Sequence, residues 1–327
     1  MAVMNETPNR LRVLIDCDPG HDDALAIIVA SAHTELVGVT TVGGNVGLDR
    51  TTTNAIQVLD LIGRADVPVH AGAAGPLVGE LKTATNIHGA SGLAGPELPP
   101  PSRGPTSSNA VEFLTRTIHV EHAAGANGGR GVWLIVTGPM TNVAQAFTAD
   151  PTLASKVAGV SFMGGSTHVG NWSATAEFNI WGDPEAADIV VRSGVPLIMA
   201  GLNITHSFQA TPARVERLAA SDTRVAKLLA GLLAEFSDRY RARQSDVEGA
   251  PMHDPLAVLA LTHPELFVSF EARLDIETVG VHTRGMTVVD QRSFREMPPT
   301  NCRVLATVDA DAAFDVIVVA AQATGHG

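Results

Sequence analysis

Cysteine is scarce in this sequence, which has only Cys17 and Cys302 among its 327 residues. So few cysteines suggest neither a disulfide framework nor a cysteine-rich metal site, and they fit a reducing compartment. Long apolar runs are also missing, because no stretch offers about 18 uninterrupted apolar residues. The polar segment 1–10 lacks the apolar core of a secretion signal. We therefore expect a cytoplasmic protein that is neither secreted nor bound to a membrane.

Basic residues are outnumbered by acidic ones, 22 against 34, and the formal net charge at pH 7 is −12. Lysine is especially rare and occurs only as Lys82, Lys156 and Lys227. Because binding to the backbone of DNA or RNA depends on clustered Lys and Arg, we expect no nucleic-acid partner and a small substrate that is not polyanionic. Hydrophobic residues make up 45% of the chain, which is enough for a large core without help from disulfides or metals.

Short apolar runs alternate with segments of helical periodicity. This alternation predicts crossover units in an α/β fold, with an open, mainly parallel sheet flanked by helices. The predicted strands are 12–15, 36–41, 67–70, 132–137, 160–163, 196–200, 273–279, 286–289 and 303–308. The predicted helices are 22–33, 49–62, 109–122, 142–147, 184–192, 223–243 and 312–322, with another that opens at 252–255. The loops at 96–105 and 125–131 are too short to be domain linkers, so we predict a single domain.

Four aspartates lie within eight residues of one another, directly after the first predicted strand. They are Asp16, Asp18, Asp22 and Asp23. Pro19-Gly20 is typical of a turn, so the acids lie at a strand-to-helix junction. Ligands bind at this edge of open α/β sheets, outside the carboxyl ends of the strands. Four carboxylates so close together need a cation, and hard oxygen ligands suit Ca²⁺ or Mg²⁺ better than zinc.

Other interpretations of this acidic segment have to be weighed. One of the two helix-side aspartates alone could be an ordinary helix cap, but that leaves Asp16 and Asp18 unexplained. An EF-hand loop counted from Asp16 would need Gly at its sixth position and Glu at its twelfth, where the chain has His21 and Ile27. A phosphatase-like site with Asp16 as nucleophile and Asp18 as acid stays open as the best alternative enzyme from this stretch alone.

Polar residues also follow other predicted strands. The segments are Val42-Gly43-Gly44-Asn45, Val136-Thr137-Gly138-Pro139, Phe162-Met163-Gly164-Gly165 and Asn203-Ile204-Thr205-His206. Each of them taken alone is more often a turn than a site, since Gly, Asn and Pro favour turns. Because the parallel strands of one sheet end at the same edge, we expect these segments to line a crevice above Asp18.

The acidic segment and three later motifs, in this order, resemble a known family. They are Asp-x-Asp-Pro-Gly-x-Asp-Asp-Ala at 16–24, Met163-Gly164-Gly165, Ala176-Glu177-Phe178-Asn179 and His253-Asp254-Pro255. The set spans nearly the whole chain and resembles the inosine-uridine nucleoside hydrolases. The resemblance implies a Rossmann-like single domain at 11–327, after an extended or disordered segment 1–10, and assembly as a homodimer or homotetramer.

The resemblance also implies Ca²⁺-dependent hydrolysis of the N-glycosidic bond of ribonucleosides, in nucleoside salvage. Asp18, Asp23, Asp254 and the backbone carbonyl of Thr137 would hold the calcium, which would also contact the ribose 2′- and 3′-hydroxyls. Asp18 would deprotonate the attacking water as general base, and the positive charge of the ion would lower the pKa of that water. Asp16 would lie behind these ligands.

Other matched residues would contact the ribonucleoside substrate. Asp22 and Asn179 would hydrogen-bond the ribose hydroxyls, and Asn45 would help to orient the catalytic water. Asn171 and Glu177 would hold the side of the sugar that carries the 5′-hydroxyl. The remaining expected contacts are Met163, Phe178 and, on the base side, His88.

His253 is the candidate for assisting the leaving base, because it directly precedes Asp254 and imidazole titrates near neutral pH. A residue that only packs or caps is the competing interpretation of His253. For His88, which lies in the segment Asn86-Ile87-His88-Gly89, the competing interpretation is a solvated loop residue.

Aromatic residues make up only 4% of the chain, with Tyr240 as the single tyrosine. A tyrosine-rich base-binding helix is therefore missing, and the remaining candidates for stacking or packing are Trp172, Phe178, Phe236 and Tyr240. His21 and the segments 86–89 and 170–172 resemble pyrimidine-preferring bacterial members. Because purines gain more from aromatic stacking, a site poor in aromatics favours pyrimidine nucleosides.

Two alternatives to a nucleoside hydrolase stay open. A metal-dependent phosphohydrolase built on Asp16 and Asp18 would need a basic residue near the phosphate, and none of the three lysines lies in a motif of that type. A non-catalytic, calcium-bound nucleoside-binding protein is disfavoured because every matched acid is present.

Overall fold

The computed structural model describes residues 10–244 and 247–323, so the prediction for segment 1–10 falls almost entirely outside the described residues. Nine strands in the described part form one sheet. The strands are β1 (Arg12–Cys17), β2 (Glu35–Thr41), β3 (Val69–Ala71), β4 (Trp133–Val136), β5 (Gly159–Met163), β6 (Leu197–Ala200), β7 (Phe267–Ile276), β8 (Thr287–Asp290) and β9 (Cys302–Val308). Their order across the sheet is β3-β2-β1-β4-β5-β6-β9-β7-β8.

Seven neighbouring strands, from β3 to β9 in that order, run parallel to one another. Strand β7 is antiparallel to β9, and β8 is antiparallel to β7 at the edge of the sheet. The prediction of an open, mainly parallel α/β sheet in a single domain is confirmed. Strand β1 lies in the interior of the sheet, so the acidic segment that follows it comes out at the middle of the carboxyl edge.

Helices cover both faces of the sheet. They are α1 (His21–His33), α2 (Leu48–Leu61), α3 (Thr85–His88), α4 (Ala110–Ala123), α5 (Ala126–Gly129), α6 (Thr141–Ala149), α7 (Phe178–Gly182), α8 (Pro184–Arg192), α9 (Leu202–Thr205), α10 (Pro212–Ala219), α11 (Arg224–Arg241), α12 (Pro255–Thr262) and α13 (Ala310–Ala323). Among the described residues, no helix has the length and apolar character needed to cross a membrane.

The core consists of two hydrophobic layers separated by the sheet. Successive residues of β1 point to opposite layers: Ile15 belongs to the layer that contains α1, α2, α11, α12 and α13, whereas Leu14 belongs to the layer that contains α4, α6 and α8. Parallel strands that are covered on both faces have continuous apolar sequences, as the central strands do here. Helices α1 and α12 also lack a polar face, because α1 is covered by α2, α11, α12 and α13, and α12 lies between α1 and strands β4 to β6.

Several predicted boundaries were wrong. Strand β3 begins at Val69, two residues later than predicted, in a segment where Pro68 has no N–H to donate to a neighbouring strand. Strand β7 covers Phe267–Ile276 rather than 273–279, because its first half is only partly buried and mixes polar with apolar residues. Helices α3, α7 and α9 were not predicted, since four or five residues are too few to show a helical period.

Candidate active site

A cavity of about 730 Å³ opens at the carboxyl ends of the parallel strands. Its walls come from the loops after β2, β4 and β5, from the beginnings of α1, α7 and α12, and from the last turns of α11. This volume lies within the range of small-molecule sites, and the edge is where open α/β sheets bind their ligands.

Three buried aspartates meet at the floor of this cavity. Asp22 and Asp23 belong to the first turn of α1, and Asp254 directly precedes α12, which packs against α1. One carboxylate oxygen of each lies within 4.8 Å of the others, the one such grouping of metal-binding side chains found in the described part of the chain. The N-termini of α1 and α12 therefore meet at this point. Their acidic side chains and the positive ends of both helix dipoles face the same position.

Asp18 lies next to this group and is fully buried. The backbone N–H of Asn45 donates to its Oδ2 at 2.6 Å, whereas its Oδ1 is buried without a hydrogen-bond partner in the described structure. Two glycines make room for this carboxylate: a Cβ at Gly44 would lie 2.0 Å from Oδ2, and one at Gly138 would lie 2.7 Å from Oδ1. The close approach of both loops therefore depends on glycine.

The protonation of these acids is strongly perturbed. Burial, followed by the charge of neighbouring aspartates, raises the pKa of Asp18 and Asp254 well above the usual range and that of Asp22 to about 7. Burial also raises the pKa of Asp23, against hydrogen bonds from the Gly20 backbone and the Thr137 hydroxyl. Without a positive charge, these carboxylates disfavour one another's ionisation.

The donor set fits a hard divalent cation. The unpartnered Oδ1 of Asp18 adds an oxygen beside the three clustered carboxylates. The Thr137 hydroxyl donates to Asp23 Oδ1 at 2.7 Å, which brings the end of β4 to the same place, and Asn179 Nδ2 donates to the Thr137 carbonyl at 2.8 Å. Carboxylate and carbonyl oxygens in this number are the ligands that Ca²⁺ takes in proteins.

Polar residues on α7 and the loop before it form one wall of the cavity. Glu177 precedes α7 as its cap and accepts the backbone N–H groups of Gly165, Asn179 and Ile180 at 2.8–3.1 Å. Burial nevertheless raises the pKa of Glu177 to about 7, against these hydrogen bonds. Asn171 Oδ1 accepts from the Phe178 N–H at 2.9 Å, and its amide NH₂ has no hydrogen-bond partner among the described residues, so it can donate to a ligand.

Imidazole and aromatic rings form the opposite wall. The backbone N–H of His253 donates to Asp22 Oδ2 at 3.2 Å, and the ring nitrogen Nδ1 of His253 lies 2.7 Å from the Thr205 hydroxyl. Burial, followed by the charge of nearby His206, lowers the pKa of His253 to about 3, so the ring is neutral at pH 7. His88, Phe236 and Tyr240 complete this side.

Comparison with known proteins agrees with this arrangement. The family model described as inosine-uridine preferring nucleoside hydrolase matches residues 13–315. The chain belongs to this family. It is an N-ribohydrolase that acts on ribonucleosides, as predicted from the ordered motifs.

Similar proteins of this family match the enzyme over almost its whole length. A pyrimidine-specific ribonucleoside hydrolase, RihA, from Shewanella sp. (strain MR-7) is 44% identical over 308 residues, 94% of each chain. RihA from Salmonella typhimurium is 41% identical over 309 residues, 94% of this chain and 97% of that one. Among solved structures, a purine-preferring ribonucleoside hydrolase from Gardnerella vaginalis superposes with a TM-score of 0.86 at 29% identity, covering 95% of this chain and 98% of that one.

The enzyme brings all the predicted site residues to one place. Asp18 and Asp23 lie beneath the cavity floor, and the others line the cavity itself. The lining residues are Asp22, Asn45, His88, Thr137, Met163, Asn171, Glu177, Phe178, Asn179, His253 and Asp254. The stacking candidates Trp172, Phe236 and Tyr240 also line it. Asp16 lies behind the site, where Thr40 and Asn142 donate to its Oδ1 at 2.6 and 2.7 Å.

Sequence reasoning missed some residues of the site. His206 lines the cavity with a buried Nε2 that has no hydrogen-bond partner in the described structure, and Thr205 contacts His253. Both lie in the polar segment that follows β6. The sequence therefore indicated that this segment lines the crevice, but it did not indicate what either residue does. Asn142, which also donates to the Thr41 carbonyl at 3.0 Å, gave no signal because it lies 126 positions from Asp16.

Proposed function

We propose that this enzyme hydrolyses pyrimidine ribonucleosides to ribose and free base in nucleoside salvage, with Ca²⁺ held by Asp18, Asp23, Asp254 and the Thr137 carbonyl. The observation that carries the proposal is the unpartnered, fully buried Oδ1 of Asp18 beside three clustered carboxylates under a cavity of about 730 Å³. When bound, the ion supplies positive charge that offsets the repulsion among these acids and polarises adjacent oxygen atoms.

Asp18 acts as general base. Its carboxylate takes a proton from the water that attacks C1′ of the ribose, and the electron pair of the C1′–N bond leaves with the base. Asn45 positions this group, because its backbone N–H donates to Oδ2 and its Nδ2 donates to the Asp18 carbonyl.

The ribose lies between the aspartates and α7. Asp22 and Asn179 contact the ribose hydroxyls, while Glu177 and Asn171 hold the 5′-hydroxyl side. Breaking the glycosidic bond builds positive charge on the sugar, which the surrounding carboxylates stabilise. Water attacks directly in this scheme, so no covalent sugar intermediate forms.

His253 assists the leaving base as a neutral ring. Its lowered pKa, about 3, means that it donates a hydrogen bond rather than carrying a resident positive charge. The Thr205 hydroxyl beside Nδ1 fixes the ring, which leaves Nε2 for the base.

Two observations favour pyrimidines. The pyrimidine-specific relative from Shewanella is 44% identical, against 29% for the purine-preferring hydrolase from Gardnerella vaginalis. The base side of the cavity also has one tyrosine, Tyr240, and one phenylalanine, Phe236, rather than a tyrosine-rich helix. Homodimeric or homotetrameric assembly and a cytoplasmic location stay predictions.

The structure gives little support to a phosphohydrolase built on Asp16 and Asp18. Asp16 Oδ1 is already engaged by Thr40 and Asn142, and the residue does not line the cavity. None of the lysines lines it either, and Arg243 is the one Lys or Arg side chain found along it in the described residues. A site rich in carboxylates would repel a phosphate.

Release of ribose from a panel of nucleosides tests the proposal. Uridine and cytidine should have higher kcat/KM than inosine, adenosine and guanosine in the calcium-loaded enzyme, and 2′-deoxyuridine should be a far poorer substrate than uridine. The reason is that Asp22 and Asn179, built to bind ribose hydroxyls, are left unpaired without them. Equal turnover of uridine and 2′-deoxyuridine would refute the sugar placement. Phosphate release from UMP without ribose release from uridine would favour the phosphohydrolase, and calcium binding with no ribose release would favour a nucleoside-binding protein.

A further inference from the structure

Two imidazoles make a buried pair at the base side of the cavity. His21 Nδ1 lies 3.1 Å from His88 Nδ1, and His21 Nε2 lies 2.8 Å from the carbonyl oxygen of Ala94. Phe236 packs against both rings, with centroids 4.8 Å from His21 and 5.1 Å from His88. Both histidines and Phe236 are buried, but only His88 and Phe236 line the cavity.

The backbone leaves room for this pair only because residue 20 is glycine. A Cβ at Gly20 would lie 2.6 Å from His88 Nδ1 and 2.9 Å from Asn45 Nδ2. The His88 ring is therefore held against the beginning of α1, with its Nδ1 turned toward His21. The ring nitrogen left for a molecule in the cavity is Nε2.

The hydrogen bonds of His21 decide where its proton lies. A carbonyl oxygen only accepts, so His21 Nε2 must carry the hydrogen that bonds to Ala94. In a neutral ring, Nδ1 of His21 is then an acceptor, and the neighbouring Nδ1 of His88 has to be the donor. No carboxylate contacts either ring in the described structure, which is why buried, neutral imidazoles are the stable form here.

The other tautomer of His88 is less favourable. With its proton on Nε2, the two Nδ1 lone pairs would face each other at 3.1 Å. That form would keep the hydrogen bond that the His21 backbone N–H donates to His88 Nδ1 at 3.4 Å, which the favoured form gives up. The shorter ring-to-ring bond therefore sets the tautomer.

We propose that His21 is a positioning residue for the nucleobase: it holds His88 in the tautomer whose unprotonated Nε2 accepts a hydrogen bond from an N–H of the base. For uridine this donor is the imide N3–H. The chain of contacts runs from the Ala94 carbonyl through His21 to His88 and the cavity. This inference rests on the proposed function, because it takes the bound molecule to be a nucleoside.

Nuclear magnetic resonance of the whole protein labelled with ¹⁵N in its histidine rings tests the tautomer. Long-range ¹H–¹⁵N spectra distinguish protonated from unprotonated ring nitrogens, and the signals of His21 and His88 are assigned by their loss in His21→Phe and His88→Asn. In the wild type, we expect His88 protonated at Nδ1 and His21 at Nε2. His88 protonated at Nε2 in the wild type would overturn the proposal, and this measurement does not need turnover.

The variant His21→Phe keeps a ring against Phe236 but removes both hydrogen bonds. We expect the His88 signals to change to the Nε2-protonated form or to a mixture of tautomers. The matched control is His70→Phe, since His70 is also a buried histidine stacked on a phenylalanine, Phe113, at 3.8 Å. It lies outside the site and should leave the His88 signals unchanged. An unchanged His88 tautomer in His21→Phe would contradict the role of His21.

Kinetics test the contact with the base. The kcat/KM ratio of uridine to N3-methyluridine, in which a methyl group replaces the hydrogen on N3, should fall about fivefold in His21→Phe relative to wild type, the effect of one lost hydrogen bond. Comparing ratios between enzymes cancels the different leaving-group strengths of the two bases. A tautomer that changes without a change in this ratio would overturn the assigned acceptor role. Absence of ribose release from every nucleoside, with the expected tautomer present, would refute the proposed function instead.

Discussion

Asp18 combines the clearest catalytic geometry with an unfavourable environment for a charged group. It is fully buried, its pKa is raised by burial and by Asp23, and one of its oxygens has no hydrogen-bond partner in the described structure. Sites that carry chemistry are often destabilising when they are empty. The same side chain should therefore weaken the metal-free fold and sustain turnover.

Replacing Asp18 with asparagine should separate these two effects. We expect kcat to fall roughly a hundredfold or more, because the general base is lost. In EDTA the melting temperature should rise, because one of several mutually repelling carboxylates is removed. Ribose release and thermal melting measure the two effects, with Asp222→Asn, an exposed acid outside the site, as control. Activity within about tenfold of wild type, or roughly 1.4 kcal/mol of barrier, would contradict the assigned role.

Glu177 should make stability depend on pH. Its pKa is raised from 4.5 to about 7 in the folded protein, so its contribution to stability is fully present below pH 4.5 and is lost as pH rises through about 7. In Glu177→Gln this contribution is absent. As pH rises from 4.5 to 7, the free energy of unfolding of the variant should therefore increase relative to that of the wild type, by up to about 3 kcal/mol.

Urea unfolding of both proteins at pH 4.5, 6 and 8 measures this difference. Other buried acids titrate in both proteins and cancel in the comparison. A difference between variant and wild type that is constant across this range would mean that the three backbone N–H groups keep Glu177 ionised throughout.

Among the elements, the loop between β2 and α2 controls the geometry of Asp18 through a glycine. A Cβ at Gly44 would lie 2.0 Å from Asp18 Oδ2, whereas one at Gly47 would meet nothing within 4 Å. We expect Gly44→Ala to displace the carboxylate and lower kcat at least tenfold, with Gly47→Ala as the matched control in the same loop. Steady-state ribose release measures both. Equal kcat values for the two variants would show that Asp18 tolerates the displacement.

The elements that sequence predicted well are those with a strong local pattern. The apolar runs of β1 and β5, and the long amphipathic helix α11, were predicted close to their actual bounds. The beginning of β7 was missed because that strand is stabilised mainly by pairing with β9, near the far end of the chain. Such pairing leaves little trace in the local sequence.

The site followed the same rule. The close spacing of Asp18, Asp22 and Asp23 was enough to predict a site, and Asp254 was found through a short motif. The roles of His206 and Asn142 depend on contacts between distant segments, and the partners of His21 in space could not be read from its neighbours in sequence. Side chains that act through distant partners need the folded structure.

For the whole molecule, the acidic cluster joins the first helix to a segment near residue 254. A cation that binds only the folded state stabilises it by mass action, by about 2.7 kcal/mol at a concentration one hundred times its Kd. Adding Ca²⁺ to EDTA-treated protein should therefore raise the melting temperature. Asp23→Asn should lose most of this rise, and Asp222→Asn should keep it. A calcium-independent melting temperature in the wild type would argue against the proposed ion.

The hydrogen bond from the backbone N–H of His253 to the Asp22 carboxylate joins residues 231 positions apart in the chain. In kinetic terms, this places completion of the site late in folding, because contacts between distant segments form only after long loops have closed. During synthesis the first aspartates leave the ribosome long before their partner, and β9, which pairs with β6, follows later still. The nascent chain therefore lacks a complete ligand set until Asp254 is made and a complete sheet until β9 is made, and activity should appear only after translation of the full sheet.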